Sequence, residues 1–110
     1  MNKSYRYISI SHKTANTKER EKYHISEEEK EQLSNVLSAS FKDITGLFIL
    51  ATCNRTEIYF ESVSTNSNTI LDFLIDFKSI KNTVSEKSLF LSSDETEMSI
   101  KHLLEVSSGL

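Results

Sequence analysis

A chain of 110 residues, 26% charged and 37% hydrophobic, has room for one core and no second. Its net charge of −3 argues against a simple nucleic-acid binder, which would carry a basic excess or stripe, and no apolar run approaches the roughly 20 residues of a membrane span. A single cysteine excludes an internal disulfide. Together with a start that lacks a signal-peptide core, it points to a reducing, cytoplasmic setting.

Residues 5–11 alternate and read as a first strand. Residues 12–25 lack regular periodicity and read as a loop, with one helical turn around Lys18 to Lys22. That loop holds the densest basic stretch, Lys13, Lys18, Arg20 and Lys22, interrupted by Glu19 and Glu21. Ser26 and Glu29 form a capping-box pair, in which each side chain satisfies a free amide at a helix start. The helix predicted from there to about Ser40 places Leu33, Val36 and Leu37 on one face. The apolar run 44–52 is consistent with a central strand covered on both faces, or with a buried segment of ambiguous type. Beyond a turn at Cys53, residues 55–61 alternate, with Thr56, Ile58 and Phe60 on one side and Arg55, Glu57, Tyr59 and Glu61 on the other. Residues 66–68 begin a second helix carrying Ile70, Phe73, Leu74 and Phe77 at helical spacing. Residues 88–92 read as a last strand with Leu89 and Leu91 on one side. Ser93 or Asp94 then caps a third helix with Ile100, Leu103 and Leu104.

The order β-α-β-β-α-β-α predicts an α+β fold. Its first six elements fit the ferredoxin-like split β-α-β pattern, an antiparallel sheet with two helices on one face, and a C-terminal helix follows. With no proline and only Gly46 and Gly109, the turns rely on Asn, Asp and Ser.

Candidate chemistry gathers around Cys53. A thiol at a hairpin tip, two residues from the Arg55 guanidinium, suits a nucleophile, because positive charge favours thiolate over thiol. The plainer reading of a lone cysteine is an inert core filler. Arg55 offers a planar fork that matches a carboxylate; its plainer role is an ion pair with Glu57 on the same strand face. Thr52 and Asn54 supply donors to a substrate or a developing oxyanion, or simply turn chemistry. His102 sits beside the apolar pair Leu103 and Leu104, a position typical of a partly buried surface histidine. His24 is assigned to the surface. One cysteine and histidines at 12, 24 and 102 show no metal-ligand spacing, and two glycines 63 positions apart make no dinucleotide-binding turn.

The string Thr52-Cys53-Asn54-Arg55-Thr56-Glu57-Ile58-Tyr59 resembles the signature of the glutamyl-tRNA reductase family. Ile10-Ser11-His12-Lys13-Thr14-Ala15 is similar to the family's opening segment, with Asn16 where proline usually follows. Arg20-Glu21 and Ser26-Glu27-Glu28-Glu29 resemble the next stretch. His102-Leu103-Leu104-Glu105-Val106-Ser107-Ser108-Gly109-Leu110 is similar to a family segment that normally runs on past this point.

The resemblance implies the ferredoxin-like fold and a catalytic role in tetrapyrrole synthesis. By that likeness Cys53 attacks the ester of glutamyl-tRNA to form a thioester, which NADPH reduces to glutamate-1-semialdehyde. Thr52, Cys53, Asn54 and Arg55 would bind the substrate, with Arg55 on the glutamate carboxylate. His102 would face Cys53 and act in proton transfer or carbonyl polarisation. His12 and Lys13 could line the same end of the sheet. NADPH binding and homodimerisation are expected of further domains absent from this chain, which reads as the first domain of a longer protein. Two other readings share these residues: a non-catalytic ferredoxin-like binding module, and a different acyl-transfer enzyme that works through a cysteine thioester.

Overall fold

The structure, a computed structural model, describes residues 2–109. The elements run β1 (Ser4–Ser11), α1 (Thr17–Lys22), α2 (Glu27–Ser40), β2 (Gly46–Ala51), β3 (Arg55–Ser62), α3 (Ser67–Phe77), α4 (Val84–Lys87), β4 (Leu91–Ser93) and α5 (Thr96–Ser107). The four strands form one sheet in the order β2-β3-β1-β4, antiparallel throughout. This is the α+β split β-α-β arrangement: β3 lies between β1 and β2, which the intervening helices connect.

Period-two alternation gives the two central strands two distinct faces. Ile8 and Ile10 of β1, with Ile58 and Phe60 of β3, pack against Leu33 and Leu37 of α2 and Ile70, Leu71, Leu74 and Ile75 of α3. All are buried, and each large aliphatic contributes about 2 kcal/mol by leaving water. Both helices start where their caps dictate. Ser26 and Glu29 close the expected capping box, and Asn66 accepts from the Thr69 amide at the head of α3. Asn16 caps α1 in the same reciprocal way with Glu19, so the residue standing in place of proline has a local function of its own.

The opposite face of the sheet carries Tyr7 and Ser9 of β1 and Glu57 and Tyr59 of β3, and it too is buried. Helix α5 covers it, packing on β1 and β4. Among the described residues no helix is long and apolar enough to cross a membrane.

Several sequence expectations need correction. Val36 is exposed, because the core-facing stripe of α2 consists of Leu33 and Leu37, one helical turn apart. The run 44–52 is an edge strand. It hydrogen-bonds only to β3, and Phe48, opposite Tyr59 on the face of the sheet where α5 packs, is still 52% exposed. The last strand begins at Leu91, later than expected, because Thr83 caps the short α4 and the chain turns through Leu89 and Phe90. Leu89 is therefore off the strand, and Leu91 is exposed. Neither Ser93 nor Asp94 caps α5, whose N-cap is Glu95, without a side-chain hydrogen bond. Asp94 instead accepts from the amide and hydroxyl of Ser67 and from Arg6, tying the head of α3 to the sheet. Of the apolar residues on α5, Ile100 and Leu104 are exposed.

The scarcity of glycine shows just beyond α3. Ser79 takes a positive φ of 56°, and the Ile80 amide reaches back to the Ile75 carbonyl. That stop normally falls to glycine, and a residue with a Cβ gives up about 1 kcal/mol there.

Candidate active site

The ends of β1, β2 and β3 meet at one edge of the molecule, since Ser11 pairs with Arg55 and Ala51 with Thr56. The hairpin tip is Cys53-Asn54, closed by the Thr52 amide donating to the Arg55 carbonyl at 2.8 Å. Neither tip residue has positive φ, so the turn needs no glycine. It is held by two other bonds. The Asn54 amide donates to Thr52 Oγ1 at 3.2 Å, and the His12 amide donates to the Asn54 carbonyl at 3.0 Å. The loop after β1 thus braces the cysteine turn through its backbone. Ser11 sets that loop by accepting from the amides of Thr14 and Ala15.

Cys53 is a free, exposed cysteine, so the core-filler reading does not hold. It opens on a cleft of about 300 Å³ shared with Thr17, Arg20, Glu21, His24 and Thr52. Arg20 is fixed in that wall: Nη1 donates to the Ala15 carbonyl at 2.8 Å and Nη2 to Thr17 Oγ1 at 3.4 Å. A second cleft, of about 400 Å³, is lined by His12, Leu50, Thr52, Asn54, Arg55, Val106 and Gly109. Thr52 is the wall common to both. The structure therefore gathers Thr52, Asn54, Arg55 and His12 around one opening and turns Cys53 toward the adjoining one. Lys13 is exposed and lines neither. His24 is exposed as expected, yet stands in the wall of the cysteine cleft.

Behind the clefts lies a feature that the sequence reading gave only a minor part. Glu57 is completely buried, and four side chains converge on its carboxylate. Arg55 Nη1 lies 3.2 Å from Oε2 and His102 Nε2 lies 2.8 Å from it. The Ser9 hydroxyl donates to the same oxygen, and Tyr59 Oη donates to Oε1 at 2.8 Å. Tyr7 stacks on the His102 ring, with centroids 4.2 Å apart and planes 12° from parallel. So the ion pair of Arg55 with Glu57 exists, and His102 directs Nε2 at Glu57, lining neither cleft. The sequence carried one signal for this hub: an acid on the same strand face as Tyr59, where a second helix could cover it.

Electrostatics follow the contacts. Burial pushes the Glu57 carboxyl up, but hydrogen bonds from His102, Ser9 and Tyr59 outweigh burial and hold it below the ordinary glutamate value. Burial, then the bond to Glu57, drives the Tyr59 phenol above the usual tyrosine range. Burial, then the negative charges of Glu57 and Glu105, raises Tyr7. The core of the site is thus a carboxylate among neutral phenols. A folded-state value below the unfolded one means that Glu57 stabilises the fold above about pH 4.5, and that this contribution is lost as pH falls through the folded value. Thermal midpoints followed by circular dichroism should therefore drop as pH falls below about 4.5. Glu57→Gln should flatten part of that slope and lower stability at neutral pH by about 3 kcal/mol. An unchanged slope in the variant would contradict this account.

Comparison with known proteins agrees with the geometry. Residues 8–110 match the family described as glutamyl-tRNAGlu reductase, N-terminal domain. The glutamyl-tRNA reductase of Cytophaga hutchinsonii is 35% identical over 107 residues, covering 97% of this chain and 25% of that protein. The reductases of Pseudoalteromonas translucida and Prochlorococcus marinus subsp. pastoris are 34% and 33% identical over 105 residues, each covering 94% of this chain and 24% of the relative. The chain thus spans about a quarter of the length of these curated relatives. A match that runs nearly end to end, on a fold whose hairpin tip presents the free cysteine, establishes that this chain belongs to the glutamyl-tRNA reductase family as its N-terminal domain.

Proposed function

We propose that this domain captures the glutamyl group of glutamyl-tRNA on Cys53, in the cytosol, as the first half of a reduction that feeds tetrapyrrole synthesis. The observation that carries this reading is the exposed thiol at a braced hairpin tip, two residues from a guanidinium anchored from behind. Cys53 Sγ, as thiolate, bonds to the ester carbonyl carbon. The bond from that carbon to the tRNA ribose oxygen breaks, and the tRNA leaves as its free hydroxyl after taking a proton. A thioester splits one difficult step into two easier ones. Arg55 holds the substrate carboxylate across the adjoining cleft, and Thr52 and Asn54 offer donors to the oxyanion. His102 is the proposed partner in proton transfer.

NADPH, the reductant implied by the family, does not fit the described residues. Gly46 lies within an exposed edge strand and Gly109 ends α5, so neither sits at a strand-to-helix turn able to cradle a pyrophosphate. Hydride delivery is therefore assigned to regions beyond these residues, and family likeness is the ground for proposing dimerisation there as well.

Mass spectrometry after exposure to glutamyl-tRNA tests the reading. One glutamyl group should appear on the peptide containing Cys53. With labelled glutamyl-tRNA and NADPH present, this chain alone should release free glutamate slowly and in a Cys53-dependent way, because water is the only acceptor. Semialdehyde made by the chain alone would overturn the division of labour. A Cys53 inert to glutamyl-tRNA would leave a binding module.

A further inference from the structure

We propose that Glu57 is the positioning residue of this site: one buried carboxylate orients Arg55 through Nη1 and fixes His102 through Nε2. The proposal rests on the roles given above to Arg55 and His102. Its observations are the convergence of both side chains on the same oxygen, Oε2, at 3.2 and 2.8 Å, and the complete burial of Glu57. Ser9 and Tyr59 supply the remaining donors, so the carboxylate cannot turn without breaking several bonds at once. Tyr7 clamps the imidazole plane from one side.

Two consequences follow. An anionic acceptor at 2.8 Å keeps the proton on Nε2, and it leaves Nδ1, which makes no hydrogen bond among the described residues, as the nitrogen able to exchange a proton. Glu57 also occupies only Nη1 of Arg55, so the rest of the fork stays available at the cleft that Arg55 lines. A group acting this way couples carboxylate recognition to proton transfer, because any shift of Glu57 displaces both partners.

The first test is nitrogen-15 NMR of the 110-residue chain at a pH where the His102 ring is neutral. The proton should sit on Nε2, and the Nη1 protons of Arg55 should be resolved from the averaged guanidinium signal. An Nδ1–H tautomer, or a freely rotating Arg55, would overturn the proposal. The second is a double-mutant cycle on thioester formation from glutamyl-tRNA. Glu57→Gln should slow capture by about a hundredfold, the scale of a small misplacement of reacting groups. Combined with Arg55→Ala, the loss should fall clearly short of the product of the two single losses, because only the part of Glu57's effect carried by His102 remains to be lost. Losses that multiply would show that Glu57 does not act through Arg55. Absence of any thioester in the unsubstituted chain would count against the proposed reaction, and the NMR result then decides the positioning role by itself.

Discussion

Cys53→Ser should abolish capture of the glutamyl group and leave the fold intact. The swap is nearly isosteric and the side chain is exposed, so stability should move by no more than about 0.5 kcal/mol. The chemistry should collapse, because a hydroxyl near neutral pH is far less ionised than a thiol and a weaker nucleophile toward an acyl carbon. A loss of about a thousandfold or more is expected, as for removal of other nucleophiles. The covalent adduct seen by mass spectrometry should vanish, as should turnover in a full-length reductase carrying this domain. Most of the activity surviving in the serine variant would end the nucleophile assignment.

Arg55→Lys should impair the reaction nearly as much as Arg55→Ala, by about a hundredfold in kcat/KM. The structure supplies a reason beyond the planar fork. Arg55 Nη1 is held by Glu57, and the side chain is only 12% exposed at the cleft that would receive the substrate carboxylate. A guanidinium can serve both carboxylates at once because its donors point in different directions. An ammonium is a single point charge and would be drawn to the buried Glu57. Kinetics on both variants check this, and near-normal turnover with lysine would mean that charge alone suffices.

Much of the fold was legible because it depends on local rules. Capping boxes, period-two alternation in 55–61 and period-3.6 spacing in 70–77 mark elements from neighbours a few residues apart, and the structure contains all of them. The errors fell where a neighbour distant in sequence decides. Nothing within 44–52 distinguishes an edge strand from a central one; its place is set by β3 pairing on one side only. Asp94 looked like a cap for the helix that follows it, yet the head of α3, 27 residues earlier, takes its carboxylate.

The candidate site divides along the same line. The sequence alone picked out the residues proposed to carry the chemistry: one cysteine at a hairpin tip, an arginine two positions on, and Thr and Asn to hold the turn. These are contiguous, so the hairpin that forms them also assembles them. Only the tertiary structure decided that Cys53 and Arg55 open on adjoining clefts, and that His102 belongs to Glu57. Helix α5 folds over the far face of the sheet and carries His102 onto a glutamate 45 positions earlier. A buried carboxylate needs donors on every side, and no stretch of chain supplies them all. Here β1, β3 and α5 each contribute, so the hub exists only once α5 has closed over this face of the sheet.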